Sequence, residues 1–198
     1  MAKIDPELFP LSTSRQVKGS RRLAREKVLQ ILIAYEVSGM PKNELFSHIF
    51  FREFNFGEDG NEVQPEKLLT QDEITDIESD TPIRWKQDDI EFGSSLLDHS
   101  IQDRAEIDGL IKKFTDNWEF ERIALTDRLI MRITTVEFEH FSQIPTKVSI
   151  NEALDIAKKY STDKSSNFIN GVLDSILIHL KKEGKVRKYG KGKQTHRN

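Results

Sequence analysis

The chain has 198 residues and a formal net charge of −3, so it is long enough for one domain with a proper core, or two small subdomains, and too short for several domains. It contains no cysteine, which excludes disulfides, thiolate metal sites and a cysteine nucleophile. No apolar run is long enough to span a bilayer, and the opening MAKIDPELFP carries charges and prolines where a signal peptide needs an apolar core, so the expected compartment is the cytoplasm.

The small net charge conceals a separation along the chain. Residues 181–198, KKEGKVRKYGKGKQTHRN, hold eight Lys or Arg against one Glu, whereas residues 44–108 hold eighteen Asp or Glu against five basic residues. A basic tail of this kind is commonly a solvated end, and such an end can still touch phosphates.

In chain order, the first predicted element runs from Arg21 to Val37, where Ala24, Val28, Ile31, Leu32 and Tyr35 repeat at three and four. At 100° per residue Arg21 and Arg25 fall beside one edge of that stripe and Arg22 lies a little further round. One helix can therefore bury Val28 and Leu32 and still gather guanidinium groups at its first turns. Cations there oppose the helix dipole, a cost that a bound phosphate would reverse. IFFREFNF, residues 49–56, reads as a short helix or an irregular segment, because Gly57, Gly60 and Pro65 follow it. Residues 57–87 are acidic and irregular and read as an exposed insertion.

A second stripe follows through Phe92, Leu96, Leu97 and Ile101, and a third through Ile107, Leu110, Ile111 and Phe114, separated by the polar QDRAE. Residues 122–141 supply a fourth through Leu125, Leu129, Ile133 and Val136. Pro145 ends that run, and Ser149 with Glu152 reads as a capping box opening the next helix, with Ile150, Ala153, Leu154 and Ala157 on one face. The last helix is expected over Phe168–Leu180. Nothing alternates convincingly as strand, and the chain reads as an all-α bundle of six to eight helices.

No catalytic constellation emerges. His48, His99, His140, His179 and His196 are scattered without metal-ligand spacing and read as core or surface histidines, YGKGK lacks the strand and helix of a phosphate loop, and no carboxylate pair is singled out by an apolar pocket.

The stretch from Asn117 to Ile176, with its PTKV approach, INEA helix start and FINGVL ending, resembles the C-terminal half of the NusB family of transcription antitermination factors. RRLAREKVLQIL resembles that family's arginine-rich first helix, and EFGSSLLDHSIQDRAEIDGLIKKF its central helices, all in the right order. The resemblance implies a NusB-like fold of two small helical bundles packed together, with about seven helices. It divides the chain into an N-terminal extension, 1–17, an N-terminal subdomain, 18–116, a C-terminal subdomain, 117–182, and a flexible basic tail, 183–198. It also implies binding of boxA-type leader RNA together with NusE, a protein of the small ribosomal subunit, within an antitermination complex on RNA polymerase that acts chiefly on ribosomal RNA operons.

Carried over by residue, the resemblance places Arg21, Arg22, Arg25 and Gln30 on the RNA face, with Lys164, Phe168 and Asn170 in a second RNA-facing region, and Glu121 and Asp127 on the NusE-facing side. Arginines on a helix edge contact phosphates and stack on unpaired bases. Phe168 also opens an apolar stripe, Asn170 can satisfy neighbouring backbone, and the two acidic residues suit a solvated helix face equally well. Ile33 stands where the family often has Tyr, and Asn167 where it commonly has Lys. Two rivals remain. NusB-like domains precede ribosomal RNA cytosine methyltransferases, but this chain ends before a methyl-donor domain and has no cysteine for that chemistry; the other rival is a helical adapter or homodimer that binds only protein. No enzyme activity and no cofactor are expected.

Overall fold

The computed structural model describes residues 17–51, 83–115, 119–162 and 164–186. Among these it contains seven α-helices and no sheet: α1 (Arg21–Ser38), α2 (Lys42–Leu45), α3 (Gln87–Gln102), α4 (Arg104–Lys113), α5 (Leu125–His140), α6 (Thr146–Tyr160) and α7 (Ser165–Lys182), with a π-helical turn Phe46–Phe51 after α2 and a 3-10 turn Phe120–Arg122 before α5. The expected all-α architecture is therefore present. The N-terminal extension up to residue 16, most of the acidic insertion and nearly all of the basic tail lie outside the described residues.

α1 starts where Ser20 accepts a hydrogen bond from the Leu23 N–H at 3.2 Å, and it stops at Gly39, whose φ of +68° only glycine adopts without strain. Its apolar stripe, Ala24, Val28, Leu29, Ile31 and Leu32, is fully buried. The segment before it is pinned to the segment before α3 by two backbone bonds, Gly19 N–H to Arg84 at 2.7 Å and Arg84 N–H to Val17 at 2.9 Å.

Of the segment 49–56, read as a short helix or irregular, residues 49–51 belong to the π-helical turn and 52–56 lie outside the described residues; an aromatic stack explains the burial of Phe50. Phe50 lies between Phe46 at 4.4 Å and Trp85 at 4.2 Å, and the Trp85 indole N–H donates to the Phe50 carbonyl at 3.0 Å. Gly93 of α3 presses on the same ring so closely that an added Cβ would stand 2.5 Å from a ring carbon.

α5 is the central helix: Asp127 and every residue from Leu129 to Phe138 are buried. Thr134 and Thr135 cap their own hydroxyls by donating to the carbonyls four residues back, each at 2.8 Å. The expected capping box at Ser149 is absent. α6 starts three residues earlier, directly after Pro145, and Ser149 is a buried residue of its first turn that donates to Glu137 of α5 at 2.7 Å. Glu152 turns outward to Arg22 instead. α7 likewise begins at Ser165 rather than Phe168; it ends at Lys182 and is closed by Gly184, φ +70°, after which the Lys185 N–H reaches back to the Leu180 carbonyl at 3.0 Å. One continuous apolar cluster joins residues of α1, α3, α4, α5, α6 and α7.

Gly93→Ala is expected to lower the unfolding free energy by about 1–3 kcal/mol, because its methyl group must displace the doubly stacked Phe50 ring. Urea denaturation followed by tryptophan fluorescence measures this.

Candidate RNA interface

The three arginines at the start of α1 have different fates. Arg22 is 54% exposed and lies against α6, with Nε and Nη2 donating to the two Glu152 oxygens at 3.0 and 2.9 Å and Nη2 also donating to Asp155 at 2.9 Å. The Glu152 hydrogen bond and charge, with the charge of Asp155, raise its pKa. Arg25 is only 5% exposed, and its fork closes on the buried Glu137 carboxylate at 2.5 and 3.0 Å. Arg21 is half-buried; its guanidinium carbon stands 5.1 Å from the centre of the Phe92 ring, beside that of Arg25 at 4.9 Å.

Carboxylates on neighbouring helices thus already offset the dipole cost that a phosphate was expected to reverse. They also sort the cluster. Arg25 is spent inside the protein, Arg22 is displayed at the surface in a fixed pose, and Arg21 makes no ion pair among the described residues.

The same seam continues down α1. Glu26 accepts from Lys159 Nζ at 2.6 Å and from the Tyr160 hydroxyl at 2.7 Å. The hydrogen bond to Glu26 raises the Lys159 pKa, whereas burial, then the Glu26 hydrogen bond, push the Tyr160 phenol up. Gln30, one turn further, is half-buried and accepts from Lys27 at 3.0 Å. α1 and α6 therefore run in the same direction, and the seam leads from the arginines to the turn between α6 and α7.

That turn borders a groove of about 360 Å³ lined by Arg122, Asp127, Thr162, Lys164 and Phe168, among others. Lys164 is exposed at the start of α7, where the helix dipole favours an anion, and Phe168 is half-buried one turn later. Asn170 lies on α7 with its amide 3.5 Å from Asp174. Asp127 is buried and accepts from Ser161 at 2.5 Å and Ser165 at 2.8 Å, so it ties the start of α5 to the α6–α7 turn. Glu121 is exposed on the 3-10 turn beside the groove.

The structure thus brings Lys164, Phe168 and Asp127 into one groove and sets the arginines at the other end of the α1–α6 seam. Several participants were not assigned to this surface from sequence, among them Glu152, read there only as a capping residue, Asp155, Lys159 and Arg122. Glu152 and Asp155 share a face at a spacing of three, and Lys159 sits in the polar AKKY run, but nothing local tells which helix they face.

The fold and this surface define a compact helical binding protein, with cations and aromatic rings displayed along one seam and groove. The sequence model of the NusB family matches residues 60–177. Among curated relatives, a transcription antitermination protein NusB of Chloroherpeton thalassium is 36% identical, over 87% of this chain and 68% of that protein. The protein of the same name in Salinibacter ruber is 35% identical, over 87% of this chain and 90% of its own length. The chain belongs to the NusB family. Solved structures agree in fold: NusB of T. maritima superposes with a TM-score of 0.60 at 24% identity, covering 82% of this chain and 93% of that one. A structure of NusB and NusE in complex with dsRNA gives 0.55 at 21%, covering 80% and 96%. Among the described residues no helix is long and apolar enough to cross a membrane.

Glu137→Gln is expected to cost about 3 kcal/mol of stability, because it strands the buried Arg25 charge. Arg22→Ala leaves the denaturation midpoint close to wild type, since its pairs are exposed. Parallel urea titrations separate the two roles.

Proposed function

We propose that this chain is a transcription antitermination factor that binds boxA-type single-stranded leader RNA together with NusE, joins the antitermination complex on RNA polymerase and suppresses premature termination, chiefly on ribosomal RNA operons. The observation that carries the reading is the chain-long similarity to relatives named transcription antitermination protein NusB. It acts by binding rather than by catalysis, and in the cytoplasm, where transcripts emerge.

Within this proposal Arg22 and Arg21 supply phosphate contacts at one end of the α1–α6 seam, and Lys164 at the start of α7 supplies another. The half-exposed Phe168 offers a face on which an unpaired base stacks, with Gln30 and Asn170 as polar contacts nearby. Arg25 serves indirectly, by holding α1 against α5 so that Arg22 is presented. On the partner side Glu121 is placed to meet NusE directly, and Asp127 keeps the turn beneath it in shape. The division near residue 116 into two helical halves belongs to the same reading.

A fluorescent boxA-like strand, a scrambled strand and a duplex, each titrated with and without NusE at several salt concentrations, test this. The boxA-like strand is expected to bind more tightly with NusE. Arg22→Ala should weaken that binding and reduce the slope of log affinity against log salt by about 0.7. Binding that ignores both sequence and the Arg22 substitution would leave the arginines as a solvated face and favour the protein-only adapter.

A further inference from the structure

A second cluster of polar groups lies where the C-terminal ends of two helices meet. His99 is in the last turn of α3, Asp103 is the residue that breaks α3 from α4, and His140 is the last residue of α5. The two imidazoles are stacked, with ring centres 3.8 Å apart and planes 14° from parallel. His140 Nε2 lies 2.9 Å and His99 Nδ1 3.5 Å from the same carboxylate oxygen, Asp103 Oδ2.

Both distances are those of histidine–carboxylate ion pairs. Asp103 Oδ2 is shut off from solvent and accepts no hydrogen bond of proper geometry among the described residues. A buried carboxylate oxygen beside two imidazole nitrogens, which lacks a hydrogen-bond partner among the described residues, is costly as an acceptor and well suited as a ligand.

We propose that His99, Asp103 and His140 form a binding site for a divalent transition-metal ion of the zinc class. One donor atom from each residue lies within 4.8 Å of the other two. A tetrahedral zinc ion with bonds of about 2.0–2.1 Å holds its ligand atoms roughly 3.3 Å apart, so small side-chain rotations close the set around one ion. Two imidazoles and a carboxylate select a borderline ion such as zinc over magnesium or calcium, which prefer all-oxygen shells. The carbonyl ends of α3 and α5 add a field that favours a cation.

All three side chains are partly exposed, so an ion can enter and keep water at its remaining position. The bound ion would fasten the α3–α4 corner to the end of α5. His99 and His140 are far apart in sequence, and only the packing of α5 against α3 makes a pair of them.

The full chain, stripped with a chelator, is titrated with zinc chloride by calorimetry, with magnesium chloride as the control, and melted with and without zinc. One equivalent of zinc should bind, raise the melting temperature and shift the ring-nitrogen resonances of His99 and His140 in the wild-type protein. Asp103→Asn and His140→Ala should each weaken zinc binding by at least about tenfold. His179→Ala, which alters a separate histidine paired with Glu183 at 3.1 Å, should leave it unchanged. Absence of saturable binding, or binding that shifts other histidines and survives Asp103→Asn, overturns the site; the wild-type resonances decide the matter even if a variant fails to fold.

Discussion

The Glu137 carboxylate, 1% exposed in the last turn of the most deeply buried helix, is the interaction on which the arrangement of helices depends. It accepts from Arg25 of α1 and from Ser149 of α6, so one side chain joins three helices at a fixed register. Near it on α5, Arg132 does the converse with opposite charge, donating to Asp108 of α4 at 3.0 and 2.7 Å and to Glu36 of α1 at 3.0 Å. Burying such ions is expensive, and the expense is recovered only when every partner is in place. Apolar contacts drive the helices together, but they are tolerant of sliding; these bidentate pairs are not.

That constraint determines which charges are left for the outside. Because Arg25 and Asp127 are consumed by the interior, the outward face at the start of α1 passes to Arg21 and Arg22, and the groove beside α5 passes to Lys164, Phe168 and Arg122. Asp127 shows the link clearly. Its bonds to Ser161 and Ser165 shape the turn that raises Lys164 to the first residue before α7, where the helix end and the ammonium group both favour an anion.

The outward carboxylates have a second effect. Glu152 and Asp155 hold Arg22 in one pose, and Glu26 does the same for Lys159 and Tyr160. These side chains are therefore ordered by their ion pairs rather than left to sample rotamers, although the chain as a whole is slightly negative.

The sequence by itself determined the helices, because a stripe at three and four residues such as Ala24, Val28, Ile31 and Leu32 has one way to be buried. It also displayed the arginines at the start of α1 and, through its resemblance to the NusB family, the expected function. It could not assign those arginines. Arg22 and Arg25 are the same residue type one turn apart, and only the placement of Glu152 and Glu137 on other helices makes one a surface group and the other a core ion. Ser149 misled for the same reason: three residues before a glutamate it satisfies a local capping pattern, yet its hydroxyl serves a carboxylate on α5. The stacking of His99 on His140 likewise exists only through packing. Helix periodicity is a local property of the chain, whereas the partner of a charged or polar side chain is chosen by elements distant in sequence, and that choice belongs to the tertiary structure.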